Sequence, residues 1–236
     1  MATVEAPTTK PAGGAGNLSP KARRTRESLI KAARVVFSRD GFVDARISDI
    51  TAQAGMAYGT FYTYFDSKEA IFREVILRLH ADLLADPDHS PFTHDDPGEQ
   101  VEHANRRFVK VYHKNASLMA ALEQVATFSS EMRELRREVR QPFVQRNSRA
   151  IKGWQVAGLA DPHLDPKYAA TALGAMVDRF MYVWMVLGED FDEDKAVVTL
   201  SRMWLNALGI TPPPPKPARR TTTHSTTTRS RPSKRP

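Results

Sequence analysis

Apolar residues recur along the chain at helical spacing. Between Lys21 and Arg39, Leu29, Ala32, Ala33, Val36 and Phe37 fall at i, i+3, i+4, i+7 and i+8, which places them on one helical face. Gly41 follows as a stop signal, because glycine takes the left-handed turn after a helix without a Cβ penalty. A short helix is expected from about Ile47 to Ala54, with Ile47, Ile50 and Ala54 inward, and Gly55 ends it. A second short helix is expected from about Tyr58 to Phe65. Asp66 as N-cap, with Glu69 three residues on, has the spacing of a capping box. It opens a longer helix with Ile71, Phe72, Val75, Leu79 and Leu83 on one side. Asp86 to Gly98 reads as a turn-rich loop with three prolines. Val101, Phe108, Val111 and Tyr112 then predict one helix, and Leu118, Met119, Leu122 and Val125 another. Met132, Leu135 and Val139 head a charged helix that meets Pro142, where a kink or break is expected because proline lacks the N–H. Asp161-Pro162 to Asp165-Pro166 is a second break. Helices over Tyr168 to Leu187 and Asp192 to Leu208 complete the chain. No period-2 strand pattern occurs, and the predicted class is all-α.

Composition narrows the chemistry. None of the 236 residues is a cysteine, which excludes disulfides, Cys-ligated zinc, iron–sulfur clusters and a Cys nucleophile. No stretch of about 18 uncharged apolar residues is present, so no membrane helix is expected. The first residues lack the apolar core of a secretory signal, and a cytoplasmic setting is expected. The net charge of +7 is misleading, since Thr211 to Pro236 holds seven Lys/Arg and no acid. Ser19 to His80 carries 11 basic and 7 acidic residues, so the stretch between His80 and Thr211 is net acidic. Basic ends around an acidic middle point the N-terminal part towards a polyanion. Residues 1–18 and the Pro/Thr/Arg tail 211–236 hold too little apolar surface to offset ordering entropy, and both are expected to be disordered.

The two short helices around Gly55 have the form of a helix-turn-helix. Their hydroxyls, on Tyr58, Thr60, Tyr62 and Tyr64, suit phosphate oxygens, while Phe61 and Phe65 anchor the same segment inward. Arg23, Arg24 and Arg26 open the first helix, Arg46 the second, and Lys68 the helix after the motif; all five are candidate phosphate contacts. The runs Ile50-Thr51-Ala52-Gln53-Ala54-Gly55-Met56, Gly59-Thr60-Phe61-Tyr62-Thr63-Tyr64-Phe65 and Ser67-Lys68-Glu69 carry a specific likeness. Over about Lys21 to Arg78 the chain resembles the TetR family of bacterial one-component transcriptional regulators. Two positions depart from that pattern. Arg46 and Ala57 stand where the family usually has hydroxyl N-caps, and Ala57 cannot cap, a loss of about 1 kcal/mol.

The resemblance implies a three-helix DNA-binding domain over residues 19–66 and a helical effector-binding and dimerisation domain over 67–210. It implies a base-reading face that includes Ala57, Tyr58, Gly59 and Tyr62. It also implies an effector cavity among the middle helices. Their bulky residues are Phe108, Tyr112, Met119, Leu122, Phe128, Met132, Phe143, Trp154, Met176 and Phe180. Most are expected to be core, with some lining the cavity and Tyr112, Asp178 and Arg179 as polar handles. An apolar or amphipathic effector, a fatty acyl thioester among the candidates, suits such a lining. Met176 to Leu187 is apolar nearly all round apart from Asp178 and Arg179. The resemblance implies that the last two helices form a dimer bundle, and Tyr182, Trp184, Met185, Met203, Trp204 and Leu208 are its candidates; one larger monomer core is the alternative.

The function this implies is a ligand-responsive regulator, a repressor that binds a near-palindromic operator as a homodimer. No cofactor, catalytic group or metal is expected. His89, His94, Asp95, Asp96 and His103 match no metal-site spacing and read as a solvated acidic loop. Two rivals come from other classes. A sequence-nonspecific DNA-compacting protein is favoured by the basic tail, which equally suits a solubilising extension. An enzyme using the helical cavity lacks any motif such as G-x-S-x-G.

Overall fold

The computed structural model describes residues 18–85 and 96–211. The N-terminal extension, the basic tail beyond Thr211 and most of the Asp86–Gly98 loop, with His89, His94 and Asp95, lie outside the described residues. Among the described residues there are eight helices and no strand: α1 (Pro20–Asp44), α2 (Ile47–Gln53), α3 (Tyr58–Phe61), α4 (Lys68–Leu84), α5 (Pro97–Phe128), α6 (Ser130–Val156), α7 (Pro166–Met185) and α8 (Glu193–Ala207). The fold is all-α: an N-terminal helix-turn-helix unit followed by a C-terminal helical domain.

Side chains set where the helices begin. Ser19, Ser67, Asp96, Ser129, Asp165 and Asp192 each accept a backbone N–H from the first turn of α1, α4, α5, α6, α7 and α8. Proline follows the cap in α1, α5 and α7, where its missing N–H costs nothing. The N-cap of α4 is Ser67, whose Oγ accepts from the Ala70 N–H at 3.1 Å, and not Asp66 as the capping-box spacing suggests. The cap falls one residue later than that spacing predicts.

The N-terminal unit is held by α1 lying across α2 and α4. Leu29, Ala33, Val36 and Phe37 of α1 are fully buried. Phe37 and Phe42 each meet Phe72 of α4 edge-on with ring centroids 4.9 Å apart, and such pairs add about 0.5–1.5 kcal/mol beyond burial. Helical geometry is interrupted at Gly41, whose φ of 71° lets the chain turn before Asp44.

The C-terminal domain departs from the sequence pattern at two places. The two helices expected over Val101 to Val125 are one, α5, bent at Asn115, where φ and ψ are −132° and 16°. Asn115 is buried and bonded at both ends of its amide: Nδ2 donates to the Val111 carbonyl and Oδ1 accepts from Arg34 Nη2, both at 2.7 Å. Helix α6 runs through Pro142 without ending. Pro142 is exposed, so water can serve the carbonyl that its ring deprives of a donor. Helix α5 packs against α1, α6 and α8, and α6 packs against α4 and α7. A buried Asn105 Nδ2 to Ser201 Oγ bond of 3.0 Å pins α5 to α8. No helix among the described residues is long and apolar enough to cross a membrane.

Candidate nucleic-acid interface and effector cavity

The turn between α2 and α3 is built on Gly55, with φ of 66°, and closed by the Met56 N–H donating to the Thr51 carbonyl at 2.9 Å. Neither α2 nor α3 has a side-chain N-cap, since Arg46 and Ala57 occupy those positions. Phe61 is fully buried and Phe65 nearly so, so α3 is anchored from below. Its outer face presents Ala57, Tyr58, Gly59 and Tyr62 to solvent, with Thr60 half-buried. The Tyr58 and Tyr62 hydroxyls are 3.1 Å apart. That hydrogen bond holds the Tyr62 phenol above its usual range, with burial adding to it. Arg23, Arg24 and Arg46 are exposed, and Arg23 Nε donates to the Leu18 carbonyl at 3.0 Å.

Three candidate DNA contacts have inward roles instead. The Lys68 ammonium donates to the carbonyls of Phe42, Val43 and Ala45 at 2.8, 3.1 and 3.0 Å, and sits 4.6 Å from the centre of the Phe42 ring. It closes the end of α1, and its protons are spent there. Arg26 pairs with Glu74 at 2.9 Å and lies over the Phe65 ring at 4.9 Å, fixing α1 to α4. The Arg26 hydrogen bond holds the Glu74 carboxyl below its usual range against the opposing effect of burial, and Arg78 adds to it. Tyr64 is half-buried and packs on the core.

The C-terminal domain holds a partly open cavity of about 190 Å³ walled by α4, α5, α6, α7 and α8. Seven of the nominated residues line it: Phe108, Tyr112, Met119 and Leu122 from α5, Phe143 and Trp154 from α6, and Asp178 from α7. The other five do not. Phe128 is 64% exposed at the end of α5, and Met132 is fully buried elsewhere in the core. Met176 is half-buried, and Phe180 meets Trp184 edge-on and Phe191 at a tilt. Arg179 is exposed and lies over the Tyr182 ring at 4.6 Å. The apolar stripes of these helices each have two flanks, and periodicity does not say which flank faces the gap.

At the polar end of the cavity Tyr112 and Asp178 were legible in the sequence as polar handles, whereas Glu123 and Arg136 were not. Arg136 of α6 pairs with Glu123 of α5 and reaches Asp178 Oδ2 at 3.4 Å, and all three line the wall. The signal was present, since Glu123 and Arg136 are charges set within the apolar runs Met119–Val125 and Met132–Val139. Burial raises the Asp178 carboxyl above its usual range, against the pull of Arg136 and with Glu123 adding to the rise. Burial likewise pushes the Tyr112 phenol well up, with Asp178 and Glu123 contributing. His80 of α4 also lines the cavity, and burial lowers its pKa.

Of the dimer candidates, Met203 is 47% exposed on α8, and Tyr182, Trp184 and Met185 are half-exposed on α7. Trp204 and Leu208 are buried in the chain's own core. Trp204 lines the cavity, and Leu208 is fully buried, its carbonyl accepting from the Asp161 N–H at 2.8 Å. Asp96 caps α5, and His103 lies within that helix.

Comparison with known proteins agrees with this architecture in both halves. Residues 29–75 match the model of bacterial regulatory proteins of the tetR family, and residues 101–209 match the C-terminal domain of the transcriptional regulator EthR. The chain is 45% identical over 64 residues to the uncharacterized HTH-type transcriptional regulator YdgC of Bacillus subtilis, covering 27% of this chain and 33% of that one. This and the other first curated relatives are covered over only about a third of their length, from 33% to 39%. The regulator EthR of Mycolicibacterium smegmatis is 26% identical over 205 residues, 80% of this chain and 92% of its own. The structure of the fatty acid degradation regulator FadR from Bacillus halodurans superposes with a TM-score of 0.65 at 21% identity, covering 83% of this chain and all of the other. With both its DNA-binding head and its helical C-terminal domain matched, the chain belongs to the TetR family of bacterial transcriptional regulators.

Proposed function

We propose that the chain is a ligand-responsive repressor that binds a near-palindromic operator as a homodimer and leaves it when a small apolar or amphipathic molecule enters the cavity. The observation that carries this reading is the placement of α4. Lys68, in its first turn, holds the end of α1, while His80 and Leu83, near its other end, form cavity wall. A ligand that moves the wall therefore moves the head. A hundredfold loss of DNA affinity requires only about 2.7 kcal/mol of such coupling.

In this reading Tyr58, Gly59 and Tyr62 enter the major groove, while Arg23, Arg24 and Arg46 meet phosphates. Tyr182, Trp184, Met185 and Met203 supply the dimer face, and two-fold symmetry sets the recognition helices about 34–36 Å apart. An elongated ligand suits the cavity, because its lining on α6 runs from Arg136 to Trp154, roughly 27 Å of helix. Glu123, Arg136, Asp178 and Tyr112 at one end suit a polar head, and a fatty acyl compound is the first candidate.

The test is fluorescence anisotropy of the full chain on its own upstream DNA against a scrambled duplex, at two salt concentrations. Preference for the native duplex, lost in Tyr62→Ala and reversed by added acyl thioester, supports the reading. Equal binding to both duplexes with a steep salt slope favours non-specific compaction instead. Native-duplex binding that no cavity ligand alters removes the effector from the proposal.

A further inference from the structure

Proteins commonly specify bases in the major groove with Arg or Lys on guanine and Asn or Gln on adenine. From Ala54 to Ser67 this chain has none of those four residue types. Lys68, the next residue, spends its ammonium on three carbonyls of α1 and the turn after it. The outward surface consists of Ala57, Tyr58 and Gly59, then Tyr62 and Thr63.

Two features of that surface have no explanation within the fold. Tyr58 and Tyr62 stand about half in water, 53% and 49% exposed, with ring centroids 5.6 Å apart and edge to face. Their hydroxyls bond each other, so one O–H proton of the pair remains for an outside acceptor. Gly59 is exposed beside them. A Cβ there would meet nothing within 4 Å, and no left-handed φ requires glycine at that position. Glycine within a helix is destabilising relative to alanine. Bare backbone kept at such a position suits a surface that something from outside approaches closely.

We propose that this surface reads thymine. The C5-methyl of a thymine in the major groove seats against the Tyr58 and Tyr62 rings beside the backbone of Gly59. Half-site choice then rests on methyl contact and groove shape, not on bidentate hydrogen bonds. The thymine methyl is the one apolar group on the major-groove edges of the base pairs, and it matches an aromatic and Cβ-free surface. This inference rests on the operator-binding reading above.

The full-length protein is used to select duplexes from a random-sequence pool. Each thymine of the selected site is then replaced by deoxyuridine, which differs by that methyl alone. Wild type is expected to lose about fourfold in affinity for one thymine per half-site, the value of one buried methyl, and roughly sixteenfold when both half-sites are changed. Gly59→Ala is expected to bind the thymine duplex more weakly and to distinguish thymine from uracil less than twofold, with a melting midpoint no lower than wild type. Uracil tolerated at every position overturns the proposal, as does a uracil penalty undiminished in Gly59→Ala and Tyr58→Ala. A pool that yields no enriched duplex overturns the operator reading itself, and it does so before any base is substituted.

Discussion

A lysine ammonium has three protons, and at Lys68 they go to the carbonyls of Phe42, Val43 and Ala45. Those carbonyls belong to a chain end that Gly41 has already taken out of helical geometry, so no backbone N–H of α1 serves them. Lys68→Met keeps the stem over the Phe42 ring and removes the donors. It is expected to cost about 2 kcal/mol, read as a lower urea midpoint at unchanged slope. The bulky residues of the C-terminal domain divide in the same way, by place and not by type. Met132 is fully buried, and Met132→Ala is expected to cost about 2–5 kcal/mol. Phe128 is 64% exposed, and Phe128→Ser is expected to fall within about 0.5 kcal/mol of wild type. Urea melts of the two variants side by side check the contrast. Both residues looked alike in the sequence, because hydrophobicity records what a side chain prefers and not which neighbour reaches it.

At the level of helices, the join between α1 and α4 is electrostatic as well as apolar. Glu74 accepts from Arg26 and Arg78, and Arg78 also holds Glu27. Because the folded Glu74 carboxyl titrates below its ordinary value of 4.5, its contribution is present above that pH and is lost as pH falls through the folded value. Asp178 runs the other way: its folded value is raised, so its contribution is full below 3.8 and is lost as pH rises. Glu74→Gln is therefore expected to flatten the acid limb of the stability curve, and Asp178→Asn to steepen it, measured as urea midpoints from pH 3 to 7. The helices themselves were legible because long amphipathic periods and Ser/Asp caps are local signals. The helix-turn-helix was legible because its glycine, aromatic and hydroxyl positions recur at fixed spacing. The bend in α5 was legible only as a gap between two apolar runs. Its closure depends on Arg34, 81 residues away in sequence, and no local pattern carries that bond. At the polar end of the cavity Asp178 was legible as a lone acid in an apolar run, but its grouping with Glu123 and Arg136 was not, since the three come from three different helices.

Across the whole molecule, α7 and α8 leave apolar surface in water. Tyr168, Val198 and Met203 are 78%, 42% and 47% exposed. The double variant Val198→Asp with Met203→Asp is expected to sediment as a monomer and to bind operator at least tenfold more weakly, while its helical circular dichroism stays that of wild type. Buried Trp204 and Leu208 set the complementary expectation: changing either should lower stability before it changes association. The bond between Arg34 and Asn115 has a different reach. One partner stands in the helix that opens the DNA-binding head, the other at the bend of the longest helix in the C-terminal domain. The head is therefore not an interchangeable cartridge. A chimera that grafts residues 18–85 onto another regulator's sensor brings the guanidinium without its amide, and is expected to bind DNA yet ignore the new sensor's ligand. Building an asparagine into the facing helix of the host is the repair to try, and a recovered ligand response would tie the coupling to this one bond.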